Sequence, residues 1–376
     1  MSERLELSAM GAVRPPVDVA LAAAARREEQ GFDAVWWADH YLHWFPRAIW
    51  DPELVPQAAA QPSPHVWFDP VPVVAAAAGA TRDIRLGIGV TDLVRRHPAA
   101  LAQTALTLDH VTGGRFVLGV GTGEALNLTP YGLTNDRPLS RLDEGLEVMR
   151  LLMEGTGPVD FAGDHFRLEG AEMGLGPVGE RPPPVWVAAH RPRGLALAGR
   201  RADGWLPLTT DPAEYADMLA LVRAAARQAG RDEDAVTPGL YARVVLAESR
   251  EEARAAIDAS LLLRFIALTR SAEAYATRGV EHPLGAGEFG LTTFLPTRYG
   301  REEALRLAGA VPVDVVRDTV IHGTPDDVAA ALAVFADEGA RHIQLTNMTP
   351  LAAPAMAARS EALLGEAVAT LRAGRG

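Results

Sequence analysis

Along the chain, short apolar runs that break at Gly, Asp or Thr alternate with Ala/Leu-rich stretches whose apolar positions recur at helical spacing. The runs at 5–10, 34–38, 84–90, 116–120, 185–189, 204–208, 240–246 and 343–346 read as strands. Between them, the spacing predicts helices over about 17–30, 71–80, 98–112, 137–154, 191–202, 212–229, 325–338 and 352–372. Regular βα alternation is the pattern of a wholly parallel sheet with buried strands. Eight such units predict a closed α/β barrel, the (β/α)8 or TIM-barrel fold. A doubly wound sheet has fewer strands and a glycine fingerprint after the first, which is missing here.

At 376 residues the chain is well beyond the roughly 250 of a minimal barrel. The surplus falls at 41–69, after the second strand, and at about 248–322, between the seventh and eighth. The expectation is one barrel domain over 1–376, with loop insertions at the C-terminal face of the strands. Pro/Gly-rich tracts at 174–184 and 281–290 read as connections.

Composition narrows the chemistry. With 48% hydrophobic and 22% charged residues there is ample material for a large core. The longest small and apolar run, 71–80, is far short of the roughly 20 residues of a membrane span, and no secretory leader pattern opens the chain. No membrane span and a cytoplasmic location are expected. Cysteine is absent, which removes thiolate ligands and cysteine nucleophiles. Lysine is absent too: all 36 basic side chains are arginine, so Schiff-base chemistry and a Walker-type phosphate loop are excluded. A net charge of -12 without a basic block argues against nucleic acid, and any acidic ligand must be met by local arginines or helix N-termini.

In such a barrel the site lies where strands end, so polar residues just after strands take priority. Asp39 and His40, followed by His43 and Trp44, come after the second strand; Gly89 to Asp92 end the third. Gly121, Thr122, Gly123, Glu124 and Asn127 follow the fourth, and Ala188, Ala189, His190, Arg191 and Arg193 follow the fifth. Asp39 beside His40 reads either as a turn cap or as a titratable pair able to move a proton. Trp37 and Trp44 are core aromatics or a surface for stacking a flat heterocycle. Glu124 opens a helix, so it caps that helix or serves chemistry. Gly119, Gly121 and Gly123 would let a ligand approach the backbone, but Glu124 stands where a dinucleotide fingerprint needs glycine. The turn at 188–194 presents amides at a helix N-terminus, and Arg191 and Arg193 add charge, as a phosphate-bearing cofactor requires.

Other polar clusters read as structural. Arg95, Arg96 and His97 form a polar turn before the helix at Pro98. Asp143, Glu144 and Glu147, with Arg141 and Arg150, form a solvated helical face. His40 and His43 with Asp39 could hold a metal, but no second cluster of ligand spacing stands elsewhere, so no metal is expected. No G-x-S-x-G elbow is present.

Taken together, GVGTGEALN at 119–127, ADH at 38–40 and Trp44 resemble the coenzyme F420-using group of the luciferase-like monooxygenase superfamily. A likeness running nearly end to end, to its phthiodiolone ketoreductase branch, rests on PRAIW at 46–50, GVTDLVRRHPA at 89–99 and PYG at 130–132. It continues through VWVAAHRPR at 185–193, RADGW at 201–205, GVEHPLGA at 279–286 and HGTPDDV at 322–328.

The resemblance implies a barrel holding an isoalloxazine-like ring at the strand C-termini, with a non-prolyl cis peptide in the third strand at Gly89–Val90. It places His40, Trp44 and Glu124 around the reacting ring carbon as catalytic residues. Cofactor contacts would come from Asp39 and Asn127, from Gly89, Val90 and Thr91, and from Gly121, Thr122 and Gly123. The turn of Ala188, Ala189, His190, Arg191 and Arg193 completes them. Coenzyme F420 is the expected cofactor, with FMN the alternative, and a homodimer is expected.

Sugar-phosphate dehydrogenases of this group carry a phosphate-binding lysine shortly after the DGW-like motif, where this chain reads Thr209-Thr210-Asp211. The likeness therefore points to an apolar carbonyl or alcohol as substrate, with hydride moving between it and the deazaflavin and with His40 or Glu124 supplying the proton. The alternatives are an FMN-dependent monooxygenase on the same fold, a metal-dependent barrel hydrolase using His40 and His43, and a non-catalytic cofactor-binding protein.

Overall fold

Eight parallel strands close on themselves in the computed structural model, which describes residues 4–374. They are Glu6–Met10, Ala34–Trp37, Arg85–Asp92, Phe116–Gly121, Val185–Val187, Gly204–Trp205, Thr237–Leu246 and His342–Asn347. Strands consecutive in the chain are neighbours in the ring, and the eighth pairs with both the seventh and the first to complete it. The (β/α)8 barrel expected from the apolar periodicity is therefore the fold.

Helices Val17–Glu29, Pro70–Ala80, Pro98–Thr112, Pro138–Glu154, Pro192–Arg201, Pro212–Gln228, Pro325–Asp337 and Ala357–Ala373 surround the strands. Most open on proline, whose missing N–H would have no partner in the first helical turn and whose ring presets the helical φ. Among the described residues, no helix is long and apolar enough to cross a membrane.

Several boundaries differ from those the pattern predicts. The fifth strand stops at Val187 and the sixth at Trp205. Pro207 has no N–H to give the ladder, which resumes only as a single pairing of Leu208 with Tyr241. The seventh strand starts earlier, at Thr237, and runs through Pro238, whose carbonyl accepts from the Arg341 N–H at 2.8 Å. An antiparallel hairpin of Val159–Ala162 with Arg167–Ala171, absent from the periodicity reading, precedes the fifth strand.

The surplus segments are folded. Residues 248–322 form short helices, including Arg250–Ala259, Leu261–Ala267 and Arg301–Gly309, then a strand, Ile321–Gly323, that extends the seventh barrel strand's pairing. Phe265, Ile266 and Phe294 from this segment pack with Phe45 and Ile49 of the 41–69 loop and with Met348 after the eighth strand. The two insertions thus share an apolar cluster above the barrel mouth.

Inside the barrel, Trp36 and Trp186 meet at 5.5 Å between ring centroids, with Val117 and Leu206 beside them. Two indoles fit because the positions facing them lack side chains. A Cβ on Gly87 would lie 2.7 Å from the Trp36 ring, and one on Gly204 2.2 Å from that of Trp186. The barrel is therefore plugged, and a ligand can enter only above this layer. Trp37, next along the pleat, points the other way into the core between strands and helices, where Nε1 donates to the Ala12 carbonyl at 3.2 Å. It is a core aromatic and no stacking surface.

Candidate active site

The C-terminal ends of the strands enclose a cavity of about 410 Å³. It brings together His40, Trp44 and Glu124, with Asp39, Thr91 and Asn127 beneath them and Gly89, Val90, Gly121, Thr122 and Gly123 along one wall. The Gly89–Val90 peptide is cis, the one non-prolyl cis bond among the described residues, and the register of the third strand with the fourth shifts between Ile88 and Thr91.

The glycines of the fourth strand serve this bulged neighbour. A Cβ on Gly119 would fall 2.6 Å from the Ile88 carbonyl oxygen, and one on Gly121 3.2 Å from Val90 Cγ2. At Gly123, φ is +85° and Leu128 occupies the space a side chain would need. The space read from sequence as room for a ligand is occupied by the barrel itself, although Gly121 and Gly123 border the cavity.

Asp39 and His40 do not act as a pair. The Asp39 carboxylate accepts from Thr91 Oγ1 at 2.6 Å, from Arg95 Nη1 at 3.1 Å and from Arg96 Nε at 3.4 Å. Arg95 also donates from Nε to Asp92 at 2.5 Å and from Nη2 to the Asp39 carbonyl at 2.8 Å. The side chains of Arg95, Asp39 and Asp92 are about 4% exposed or less. Arg95, read from sequence as part of a polar turn, is thus the buried cation that fixes the ends of the second and third strands. The sequence shows its charge but not that the turn folds inward. His97 does cap the following helix, its Nδ1 accepting from Ala99 N at 3.2 Å.

His40 is oriented by Asn127. The Asn127 Oδ1 accepts from the backbone N–H groups of Tyr41 at 2.8 Å and Leu42 at 3.2 Å, which leaves Nδ2 to face His40 Nδ1 at 2.9 Å. Because Nδ2 only donates, Nδ1 must be the unprotonated acceptor, and the neutral ring carries its proton on Nε2. Trp67, from the 41–69 loop, stacks on His40 at 4.8 Å, and Trp44 meets it edge-on at 5.3 Å. Burial, helped by the Arg95 charge, pushes the His40 pKa down to about 4, so the ring is neutral near pH 7.

Glu124 makes no capping hydrogen bond to the short helix that follows it. Its Oε2 is buried without a partner, 3.8 Å from His40 Nδ1. Burial pushes its pKa up to about 7, against the opposing pull of Arg243 and Arg95. The indole N–H of Trp44 is likewise buried and unpartnered. Such orphan polar atoms clustered in one cavity mark where a ligand completes the hydrogen bonding.

After the fifth strand the polar groups are largely committed to the barrel. The Ala188 N–H donates to the Val120 carbonyl, Ala189 O accepts from Trp205 Nε1 at 2.9 Å, and His190 Nε2 accepts from Leu208 N at 2.9 Å. Ala188 and His190 line the cavity. Arg191 instead lines a neighbouring polar cavity of about 720 Å³, ion-paired with Glu273 at 2.8 Å. Arg193 lies apart from both, in an outer groove with Asp143 and Glu147. The helical face read as solvated is a contact, since Asp143 and Glu147 bind Arg201 of the next helix at 2.9 and 2.6 Å. Among the described residues, no three His, Asp or Glu side chains converge as metal ligands. His43 is buried against Phe45 at 3.8 Å, and its Nδ1 accepts from the Trp44 N–H.

The sequence profile of the luciferase-like monooxygenase family matches residues 4–342. The phthiodiolone/phenolphthiodiolone dimycocerosates ketoreductase of Mycobacterium tuberculosis is 35% identical over 337 residues, covering 89% of this chain and 88% of that protein. An F420-dependent secondary alcohol dehydrogenase, solved with an F420-acetone adduct, superposes with a TM-score of 0.75 at 22% identity, covering 98% of this chain and 99% of the other. The EDTA monooxygenase of Chelativorans sp. BNC1 gives a TM-score of 0.68 at 18% identity, covering 95% and 94%. At these identities the two structures establish a shared barrel.

Proposed function

The chain belongs to the luciferase-like monooxygenase family, and on that premise we propose that it is a coenzyme F420-dependent oxidoreductase interconverting a carbonyl compound and a secondary alcohol. The observation that carries the reading is the buried, unpartnered Oε2 of Glu124, 3.8 Å from the Nδ1 of a neutral His40, on a carboxyl whose pKa is pushed up to about 7. The ketoreductase likeness and the secondary alcohol dehydrogenase fold support the same substrate class.

The residues present fit a flat heterocycle with a polar edge. Trp44 and Trp67 offer aromatic surface beside it, while the orphaned Trp44 N–H and Glu124 Oε2 are left to the substrate. Val90, Thr122 and Ala188, at the C-terminal ends of three adjacent strands, would hold the ring at the barrel mouth. The hydride for the carbonyl carbon would come from reduced F420 held there.

The protein's part is to stabilise and then protonate the oxygen. His40 Nε2–H and Trp44 Nε1–H donate hydrogen bonds to it, stabilising the charge that develops as the carbonyl becomes an alkoxide. Glu124, protonated in about half the molecules near pH 7, gives that oxygen its proton; in the reverse direction its carboxylate takes the proton from the alcohol. Asp39, fully occupied by Thr91, Arg95 and Arg96, holds the backbone that carries His40. The insertions roof the site with an apolar cluster, and excluding water there strengthens each hydrogen bond.

Titration of the purified protein with F420 and with FMN, followed by deazaflavin absorbance against a panel of ketones and secondary alcohols, tests this. The expected result is micromolar F420 affinity and turnover of at least one panel member. FMN binding with none for F420 would make the chain a flavin monooxygenase instead, and tight F420 binding without turnover would make it a carrier.

A further inference from the structure

One wall of the active-site cavity carries cationic donors that find no hydrogen-bond or ion-pair partner among the described residues. Arg243 is 5% exposed and lines the cavity, yet among the described residues it makes no hydrogen bond and no ion pair. Its contacts are the faces of Trp44 and Tyr241, each about 6 Å from the guanidinium carbon. Arg95, equally buried, is held by two carboxylates, so an unpaired arginine is not how this protein ordinarily stores charge. An isolated buried cation is costly, and its persistence calls for a partner that arrives from outside.

The strand order supplies neighbours. Arg243, on the seventh strand, is the register partner of Thr346 on the eighth, so both side chains project inward at the same level. Thr346 Oγ1 is buried without a partner. The first strand lies on the other side of the eighth, and Arg14, just beyond its end, lines the same cavity with Nε also buried and unpartnered. Three adjacent strands thus present two guanidinium forks and a hydroxyl. Glu124, across the cavity, forms no ion pair with Arg243. Ile266, Phe289 and Met348 make the nearby walls apolar.

We propose that Arg243, Thr346 and Arg14 bind the carboxylate of the substrate, which makes that substrate an apolar-bodied oxo acid or the matching hydroxy acid. A planar fork matches a carboxylate in bidentate fashion, and the hydroxyl adds a third donor. Trp44 touches both ends of the site, its ring 5.3 Å from that of His40 and 5.9 Å from the Arg243 guanidinium carbon. The anion is therefore separated from the reacting carbonyl by a short apolar spacer, about the width of an indole. The assignment rests on reading the site as a carbonyl/alcohol oxidoreductase and narrows the neutral ketone that the sequence suggested to an anionic one.

The test uses a series of oxo acids from 2-oxobutanoate to 7-oxooctanoate, each against its methyl ester. Binding to the cofactor-free protein is read by thermal shift, and kcat/KM is read with reduced F420. At least one acid should bind about tenfold or more tightly than its ester, and Arg243→Gln should erase that preference while leaving ester binding and F420 affinity within about twofold. Arg243→Met should unfold at a higher temperature than wild type in the absence of ligand, because it removes a buried guanidinium that has no hydrogen bond or ion pair among the described residues. Acids that never outbind their esters overturn the inference, as does an Arg243→Gln variant that loses F420 affinity instead. The functional reading fails separately: a protein that binds FMN and not F420 refutes it, while the acid preference of the cofactor-free chain still stands.

Discussion

Glu124 Oε2 stands 3.8 Å from His40 Nδ1, yet no proton is shared between them. Asn127 already occupies that nitrogen at 2.9 Å, so the Glu124 proton is free to leave toward a ligand. This separation of roles governs how activity should respond to pH. Carbonyl reduction requires protonated Glu124, so kcat/KM for reduction should fall as pH rises through about 7, while alcohol oxidation rises through the same range. Glu124→Gln should lower turnover roughly 100-fold and flatten both limbs. An unchanged pH profile in the variant would remove Glu124 from proton transfer.

The same carboxyl should mark the protein's stability. Its folded pKa of about 7 lies above the ordinary 4.5, so the stability it contributes is fully present below about pH 4.5 and is lost as pH rises through about 7. Glu124→Gln abolishes that loss. The variant should match wild type near pH 4 and exceed it by about 3 kcal/mol near pH 8 in urea unfolding. A variant less stable than wild type at the higher pH would show the carboxylate to be stabilised in the fold.

We propose that Asn127, whose Nδ2 meets His40 Nδ1 at 2.9 Å, acts as a positioning residue for that ring. Asn127→Ala should free the imidazole to rotate and release the Tyr41 and Leu42 amides, lowering kcat about 10- to 100-fold. F420 affinity should stay within about threefold, a split that a general folding defect would not produce. Asn127→Asp keeps the acceptor for the two amides but loses the donor to Nδ1, and should raise the imidazole pKa as seen by NMR.

Removing Arg95 leaves Asp39 and Asp92 buried without their cation. Arg95→Leu should cost about 3–5 kcal/mol in urea unfolding, far above the effect of an exposed pair such as Arg167 with Glu169. A loss below about 1 kcal/mol would mean that solvent reaches the cluster.

The barrel plug is equally specific. A methyl group at Gly204 would lie 2.2 Å from the Trp186 ring, so Gly204→Ala should destabilise by about 1–3 kcal/mol, and Trp186→Phe in the same chain should recover part of the loss. Independent, additive effects of the two changes would show that the indole does not fill that space.

Much of the architecture could be read from the chain because it depends on local pattern. Apolar runs and helical spacing specify eight βα units, and a parallel barrel places whatever follows each strand at one mouth, so His40, Trp44, Glu124 and Asn127 were expected together and are together. Segments without a clean period, such as the helices of 248–322 and the hairpin at 159–171, were not, since short elements of mixed polarity are set by the surfaces they pack on.

Which residue touches which was decided only by the tertiary structure. Adjacency in sequence suggested Asp39 with His40, but successive residues past a strand point different ways, and the partners came from 52 to 87 positions further along the chain. Arg95 looked like a surface turn until a buried carboxylate stood on either side of it. Arg191 and Arg193 suggested an anion site from sequence; in the structure Arg191 pairs with exposed Glu273 at the rim of the neighbouring cavity and Arg193 faces an outer groove. The unsatisfied cation is Arg243, inside an apolar strand. The sequence carries that charge plainly, but only the barrel's inward pleat shows that it faces the cavity and, among the described residues, makes no hydrogen bond or ion pair.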